Sequence, residues 1–181
     1  MGNARVSETA LIDYRLYRAD DFAPLYAIEQ TCFHPPLRFG RPYMRQLVES
    51  PSSITWVAGE NDSMAGFAIA ELNLEPNYPT AYIPTLEVCP ELRRCGIGRE
   101  LLHRIEQSAL AAGAALLWLH VDAENDAAVR LYRAHGFELK GRHEHYYARS
   151  RAAEVYAKVL VAVDIPSALP KTVPDLDAPI Q

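Results

Sequence analysis

Hydrophobic and polar positions change their period along this chain in a fixed order. Residues 11–17 (LIDYRLY) alternate apolar with polar, the two-residue period of a strand with one covered face. From residue 20 to 32 the period lengthens to three or four, with Phe22, Leu25, Ile28 and Cys32 on one side and Asp20 or Asp21 as N-cap. His34-Pro35-Pro36 breaks that helix, and residues 43–49 predict a second, shorter one. Residues 53–60 and 64–72 flank Asn61-Asp62-Ser63, the composition of a hairpin turn. A further strand is expected over 81–88, after a turn at 77–79.

The second half is more sharply patterned. Leu101, Leu102, Ile105, Ala109 and Ala112 repeat at helical spacing within 98–112, and Gly113 supplies the stop. Residues 115–121 are apolar at both parities, as in a strand covered on both faces. Residues 126–135 predict a helix ended by Gly136, and 137–143 and 154–160 predict the last two strands. The order is strand, two helices, three strands, helix, strand, helix, two strands: a mixed α/β sheet in one domain.

Composition narrows the function. The 181 residues carry a net charge of −5, which argues against a sequence-independent nucleic-acid binder and slightly favours a cationic substrate. Cys32, Cys89 and Cys95 are odd in number and lack metal-ligand spacing, so neither a disulfide framework nor a metal site is expected. No apolar run approaches a membrane span, the first twenty residues hold no signal-peptide core, and Val6 breaks the myristoylation pattern after Gly2. A cytoplasmic protein without membrane association is expected, and monomer and homodimer both remain open. The domain is expected over residues 10–162. Pro166, Pro170, Pro174 and Pro179 mark 163–181 as an extended or disordered tail.

The chemistry concentrates in Leu86-Glu87-Val88-Cys89-Pro90-Glu91-Leu92-Arg93-Arg94-Cys95-Gly96-Ile97-Gly98-Arg99, where a strand runs through a glycine-bearing turn into a helix. Gly96 and Gly98 permit conformations and close approaches that a Cβ blocks. Free backbone N–H groups at the helix start, its dipole and the neighbouring arginines together suit a pyrophosphate. A Walker loop would need Gly-Lys-Ser/Thr, which is absent, and a Rossmann turn a third glycine where Leu101 stands.

Arg93-Arg94-Cys95-Gly96-Ile97-Gly98 resembles the [Gln/Arg]-x-x-Gly-x-[Gly/Ala] signature of the GNAT N-acetyltransferases. Residues 125–137 resemble that family's Asn-x-x-Ala-x-x-Leu-Tyr-x-x-x-Gly-Phe, and the likeness runs from about Ile12 to Leu160. The resemblance implies the GNAT fold, a mixed sheet of about seven strands with about four helices and splayed central strands that hold acetyl-CoA. It implies no metal. Carried over residue by residue, Arg93, Arg94, Cys95, Gly96, Ile97, Gly98 and Arg99 would cradle the pyrophosphate. Leu86, Glu87 and Val88 would take the pantetheine along the strand edge, and Asn125 would hold its arm. Tyr132 would protonate the departing thiolate beside the cofactor, and the Val88 N–H would face the carbonyl oxygen.

The base is left open among His120, Glu87 and water. In the RimI-like protein N-terminal acetyltransferases, the subgroup this chain most resembles, a glutamate commonly occupies the position of His120. Residues 28–33, ending in Phe33, resemble that subgroup's first helix and substrate loop, Tyr146-Tyr147 its groove-flanking tyrosine pair, and residues 154–160 its last core strand. Phe33, Tyr146 and Tyr147 are therefore the candidate contacts to a peptide N-terminus. An α-amine of pKa about 7.7–8.0 is roughly 10% neutral at pH 7, against about 0.04% for lysine, which favours the same acceptor. The alternatives are transfer to a small amine (amino sugar, polyamine or amino acid) and, more remotely, a non-catalytic CoA-binding module.

Overall fold

The structure is a computed structural model that describes residues 11–60, 63–76, 78–148 and 151–161. The tail expected at 163–181, the turn residues Asn61 and Asp62, and Asn77 lie outside the described residues. Its elements are β1 (Asp13–Leu16), α1 (Phe22–Cys32), α2 (Arg41–Glu49), β2 (Ser53–Glu60), β3 (Ser63–Asn73), β4 (Thr80–Val88), α3 (Ile97–Ala111), β5 (Leu116–Asp122), α4 (Asp126–Ala134), β6 (Glu138–Ala148) and β7 (Arg151–Val159).

Most boundaries fall within one or two residues of those the periodicity predicts. α2 begins two residues earlier than expected because Pro42 sits in its first turn, where a missing N–H costs nothing. Asp21 stands at the N-cap of α1, but its carboxylate caps no helical N–H. It turns back to accept from Arg15 at 2.6 and 2.7 Å and from the Arg18 N–H at 2.7 Å, tying β1 to the helix entrance.

The seven strands form one sheet in the order β1-β2-β3-β4-β5-β7-β6, antiparallel at every step except β4–β5. One face packs Ile83, Leu117, Leu119 and Val121 against Leu101, Leu102 and Ile105 of α3, with Leu131 and Tyr132 of α4 joining the same core. The other packs Val57, Phe67 and Ile69 against Leu25, Ile28, Met44 and Leu47 of α1 and α2.

Two irregularities shape the functional end. The parallel β4–β5 ladder runs only from Thr80↔Leu116 to Ile83↔Leu119. Beyond it β4 stays with β3 as far as Gly66↔Val88, while β5 stays with β7 as far as Asp122↔Ala153. The central strands therefore part. At the parting, β3 pairs Glu71↔Tyr82 and then Ile69↔Thr85, so Ile83 and Pro84 together face Ala70 in a bulge. Pro84 has no N–H for a continued ladder. The extra residue shifts the side-chain alternation, placing Tyr82 on the same face as Thr85 and Glu87, with Ile83, Leu86 and Val88 opposite.

The second irregularity lies in the last hairpin, whose strands reach further than the sequence pattern predicts. Register passes from His143↔Ala153 to Ala148↔Arg151, so residues 144–147 of β6 are spent against one residue of β7. His145, at φ 62°, turns this excess and brings Tyr146 over the open end of the sheet, against His120.

The close approach of β3 to the parted end of β4 constrains Gly66. A Cβ there would stand 2.5 Å from the Glu87 carbonyl oxygen, which is backbone and cannot move aside cheaply. Gly66→Ala should therefore destabilise the fold by about 1–3 kcal/mol, the usual scale of overpacking; urea unfolding at equilibrium measures it.

Candidate active site

At the parted end, the unpaired edge of β4 supplies the first functional feature. The Cys89 N–H donates to Ala65 O at 2.9 Å, towards β3. Alternation along the strand then directs the N–H and C=O groups of Leu86 and Val88 away from β3, into the opening. Val88 O already accepts from Arg93 and Cys32. The Leu86 N–H and C=O and the Val88 N–H have no strand neighbour, and an extended amide-bearing ligand satisfies such groups as an added strand does.

The second feature is the turn into α3. Arg94 and Gly96 take left-handed conformations at φ 65° and 85°, and no side chain caps the helix. The first helical acceptor is Gly96 O, which receives the Glu100 N–H at 3.0 Å. The N–H groups of Ile97, Gly98 and Arg99 are left free, at the positive end of the helix dipole. Gly98 lies flat against Leu86, Val88 and Leu131, which bring α3 and α4 up to the strand edge. Arg94, Cys95 and Arg99 are exposed around this anion cradle.

Arg93 is differently engaged: its Nε donates to Val88 O at 3.1 Å and its Nη2 to Cys32 Sγ at 3.5 Å. Asn125 caps α4, its Oδ1 accepting the Ala128 N–H at 3.1 Å. The free strand edge and the N–H groups of the turn match the pantetheine amides and the pyrophosphate of acetyl-CoA in polarity.

The third feature is an aromatic wall on the α1–α2 face. His120 is 9% exposed. Its ring stacks on Tyr146 at 4.8 Å and 10°, and meets Trp118, Tyr82 and His143 at 5.5, 5.8 and 5.7 Å. The Tyr82 hydroxyl lies 3.3 Å from His120 Nδ1. His120 Nε2 is buried with no partner among the described residues. Burial, reinforced by the nearby His143, lowers the His120 pKa to about 4. It is a neutral imidazole at physiological pH, and the tautomer with Nδ1–H donating to Tyr82 leaves a lone pair on Nε2.

Tyr132 is 6% exposed, against Phe137. Burial alone raises its pKa, so it stays an intact O–H donor. Tyr147 meets Tyr146 edge-on at 4.8 Å and is held protonated by burial, with Tyr146 and Tyr132 among the groups near it. Phe33 is half-buried, immediately after α1. Glu87 faces α1, not the opening: it is 3% exposed, its Oε1 accepts from Thr85 at 2.8 Å, and burial, then Glu29, push its pKa far above the carboxylate range. A protonated carboxyl turned towards α1 is a poor base, so of the two side chains weighed for that role the neutral imidazole of His120 is the better suited. Sequence reading missed Tyr82 and Trp118. Their alternation with His120 becomes visible only once β4 and β5 are known to be neighbours.

A sheet opened between two parallel strands, a turn with free N–H groups at a helix start and a buried neutral imidazole are the features of this end of the fold. The sequence profile of the Acetyltransferase (GNAT) family matches residues 22–137, and the chain belongs to that family. The [ribosomal protein bS18]-alanine N-acetyltransferase of Escherichia coli (strain K12) is 35% identical over 95 residues, which are 52% of this chain and 62% of that protein. The match thus spans somewhat under two thirds of that relative's length. The crystal structure of the ribosomal-protein-S18-alanine N-acetyltransferase from Escherichia coli superposes with a TM-score of 0.75 at 25% identity, over 86% of this chain and 99% of that one. Arabidopsis thaliana NAA60 in complex with acetyl-CoA has the same fold, with a TM-score of 0.74 at 20% identity over 82% and 98%.

The cradle depends on Gly96. Valine is strained at φ 85° by roughly 1–2 kcal/mol or more, and relieving the strain turns the free N–H groups aside. Gly96→Val should weaken acetyl-CoA binding at least about tenfold in a protein that still folds; calorimetry on the folded variant measures it.

Proposed function

We propose that this chain is an acetyl-CoA-dependent N-acetyltransferase whose acceptor is the α-amine of a protein or peptide N-terminus, attacked directly in a ternary complex. The observation that carries it is His120, a neutral imidazole with a free Nε2 in an aromatic wall, beside the strand opening. Acetyl-CoA, when bound along β4, supplies the thioester carbonyl. The Val88 N–H donates to the carbonyl oxygen and polarises it. The amine nitrogen forms its bond to that carbon, His120 Nε2 takes the proton released from nitrogen, and the C–S bond breaks. The Tyr132 O–H supplies a proton to the sulfur.

The low pKa of His120 bears on the acceptor. Taking a proton from a resting α-ammonium of pKa near 8 costs about 5 kcal/mol at this imidazole, and from a lysine ammonium about 9 kcal/mol. The amine must therefore arrive neutral, which an α-amine does far more often. His120 then removes the proton only as the new N–C bond makes it acidic. The similarity to an enzyme named for acetylating the alanine of a ribosomal protein supports the same choice. Tyr146 and Tyr147, beside His120, and Phe33, directly after α1, are the residues assigned to contact an extended peptide backbone.

Free N-terminal tetrapeptides should be turned over, α-blocked ones with an internal lysine should not, and Tyr147→Ala should raise the peptide KM without changing acetyl-CoA affinity. Thiol release measured over peptides, spermidine and an aminoglycoside decides it; turnover confined to the small amines would replace this reading with the small-amine one.

His120→Gln and Tyr132→Phe should each lower kcat more than they raise KM, by roughly 10²–10³-fold and 10–10³-fold. With His120 neutral above pH about 4, the rise of kcat/KM with pH should follow the acceptor amine near 8, without a break at 6.5. A break at 6.5 that His120→Gln abolishes would show instead an imidazole titrating near its ordinary value.

A further inference from the structure

Glu29 clasps both ends of the loop between α1 and α2. Its backbone carbonyl accepts the Phe33 N–H at 3.0 Å, and its side-chain Oε1 accepts the Phe39 N–H at 2.7 Å. The residue is 0% exposed, on the inner side of α1. Facing it from β4 is Glu87, 3% exposed, with Oε1 held by the Thr85 hydroxyl. Glu29 Oε2 and Glu87 Oε2 are both buried without a donor among the described residues. Two buried carboxylates facing each other repel; a carboxylic acid against a carboxylate can make a strong, charge-assisted bond and give both orphan oxygens a partner.

We propose that Glu29 and Glu87 share one proton and thereby position the 33–40 loop, a role that rests on that loop flanking the acceptor as proposed above. With the proton present, the Glu87 O–H donates to Glu29, and Glu29 keeps its grip on the Phe39 N–H. Without it, the two charges separate, and the residue they push is the one that closes the loop. The groups that face Glu87 are Glu29 and Cys32 on α1, Thr85 on its own strand, and Cys89 just beyond it. The nearest cation, Arg93, lies beyond Cys32 and Cys89 and is engaged by Val88 O and Cys32 Sγ. Glu87 is thus a positioning residue, reaching the acceptor through Glu29 and the loop.

Two measurements separate this proposal from the functional reading. The first is unfolding stability of the wild type and Glu87→Gln from pH 5 to 9. Because the Glu87 pKa is raised on folding, the shared proton stabilises the wild type fully below the ordinary carboxylate range. That contribution is lost as the pH climbs towards the folded pKa. The glutamine amide donates to Glu29 without titrating, so wild-type stability should fall relative to Glu87→Gln as pH rises; parallel curves overturn the shared proton whatever the enzyme acetylates. The second is the KM-against-kcat split at pH 7. The isosteric Thr85→Val and the harsher Glu87→Ala should raise the acceptor KM, by about tenfold for Glu87→Ala, the scale of a lost charge-assisted hydrogen bond. Acetyl-CoA affinity should be unchanged, and Glu87→Gln should stay within about twofold of wild type. An unchanged acceptor KM in folded Thr85→Val and Glu87→Ala overturns the positioning role while leaving the acetyl-transfer reading standing.

Discussion

The site depends on one broken ladder. β4 and β5 share four register positions and then part, and each keeps its outer neighbour after the parting. Buried backbone groups normally find partners, so a sheet that opens at its centre must leave the freed N–H and C=O groups to something else. The bulge at Ile83–Pro84 sets where the opening begins, and the proline keeps the ladder from resuming. The same extra residue rotates β4 about its axis, so that Tyr82, Thr85 and Glu87 share one face. The free strand edge and the aromatic wall are two consequences of one local irregularity.

Around that opening, charge is kept at a distance. The groups nearest His120 are Tyr82, Trp118, Tyr146 and His143, and Tyr132 is desolvated without an ionic partner. In such surroundings a dipole or a transient charge interacts over a low local dielectric and is worth more than at the surface. Two ion pairs bracket this wall: Arg151 with Asp122 at 2.6 Å, near Tyr147, and Lys158 with Glu106 at 2.9 Å on the α3 side.

Much of this was legible in the chain. The element order, the helix stops at Gly113 and Gly136 and the glycine-bearing turn into α3 follow from period and turn chemistry, because those signals are local. What stayed hidden depends on contacts distant in sequence. Tyr82 and His120 are 38 residues apart and meet only through the parallel pairing of their strands. The Glu29–Glu87 pair joins a helix to a strand, and the alternation of an unbulged strand would have given Glu87 and Tyr82 opposite faces. The last hairpin was foreshortened because the 144–147 excess follows neither a strand nor a helix period. Asn125 shows the converse case: a residue singled out for a ligand whose side chain also has a local task as an N-cap.

The identity of residue 120 follows from the same surroundings. A glutamate commonly occupies this position in the subgroup whose motifs the chain resembles, and here it would enter a wall of Tyr82, Trp118, Tyr146 and His143. Glu87 shows what this protein does to a desolvated carboxyl: burial and a neighbouring acid drive it to the protonated form, in which it accepts no proton. Desolvation acts on histidine in the opposite sense, since the form it favours is the neutral one, which is the form that works as a base. An aromatic wall therefore keeps a histidine in its proton-accepting form, while it pushes a carboxyl towards the protonated one. The departure from the commoner residue and the surrounding tyrosines and tryptophan read as one physical choice, not two.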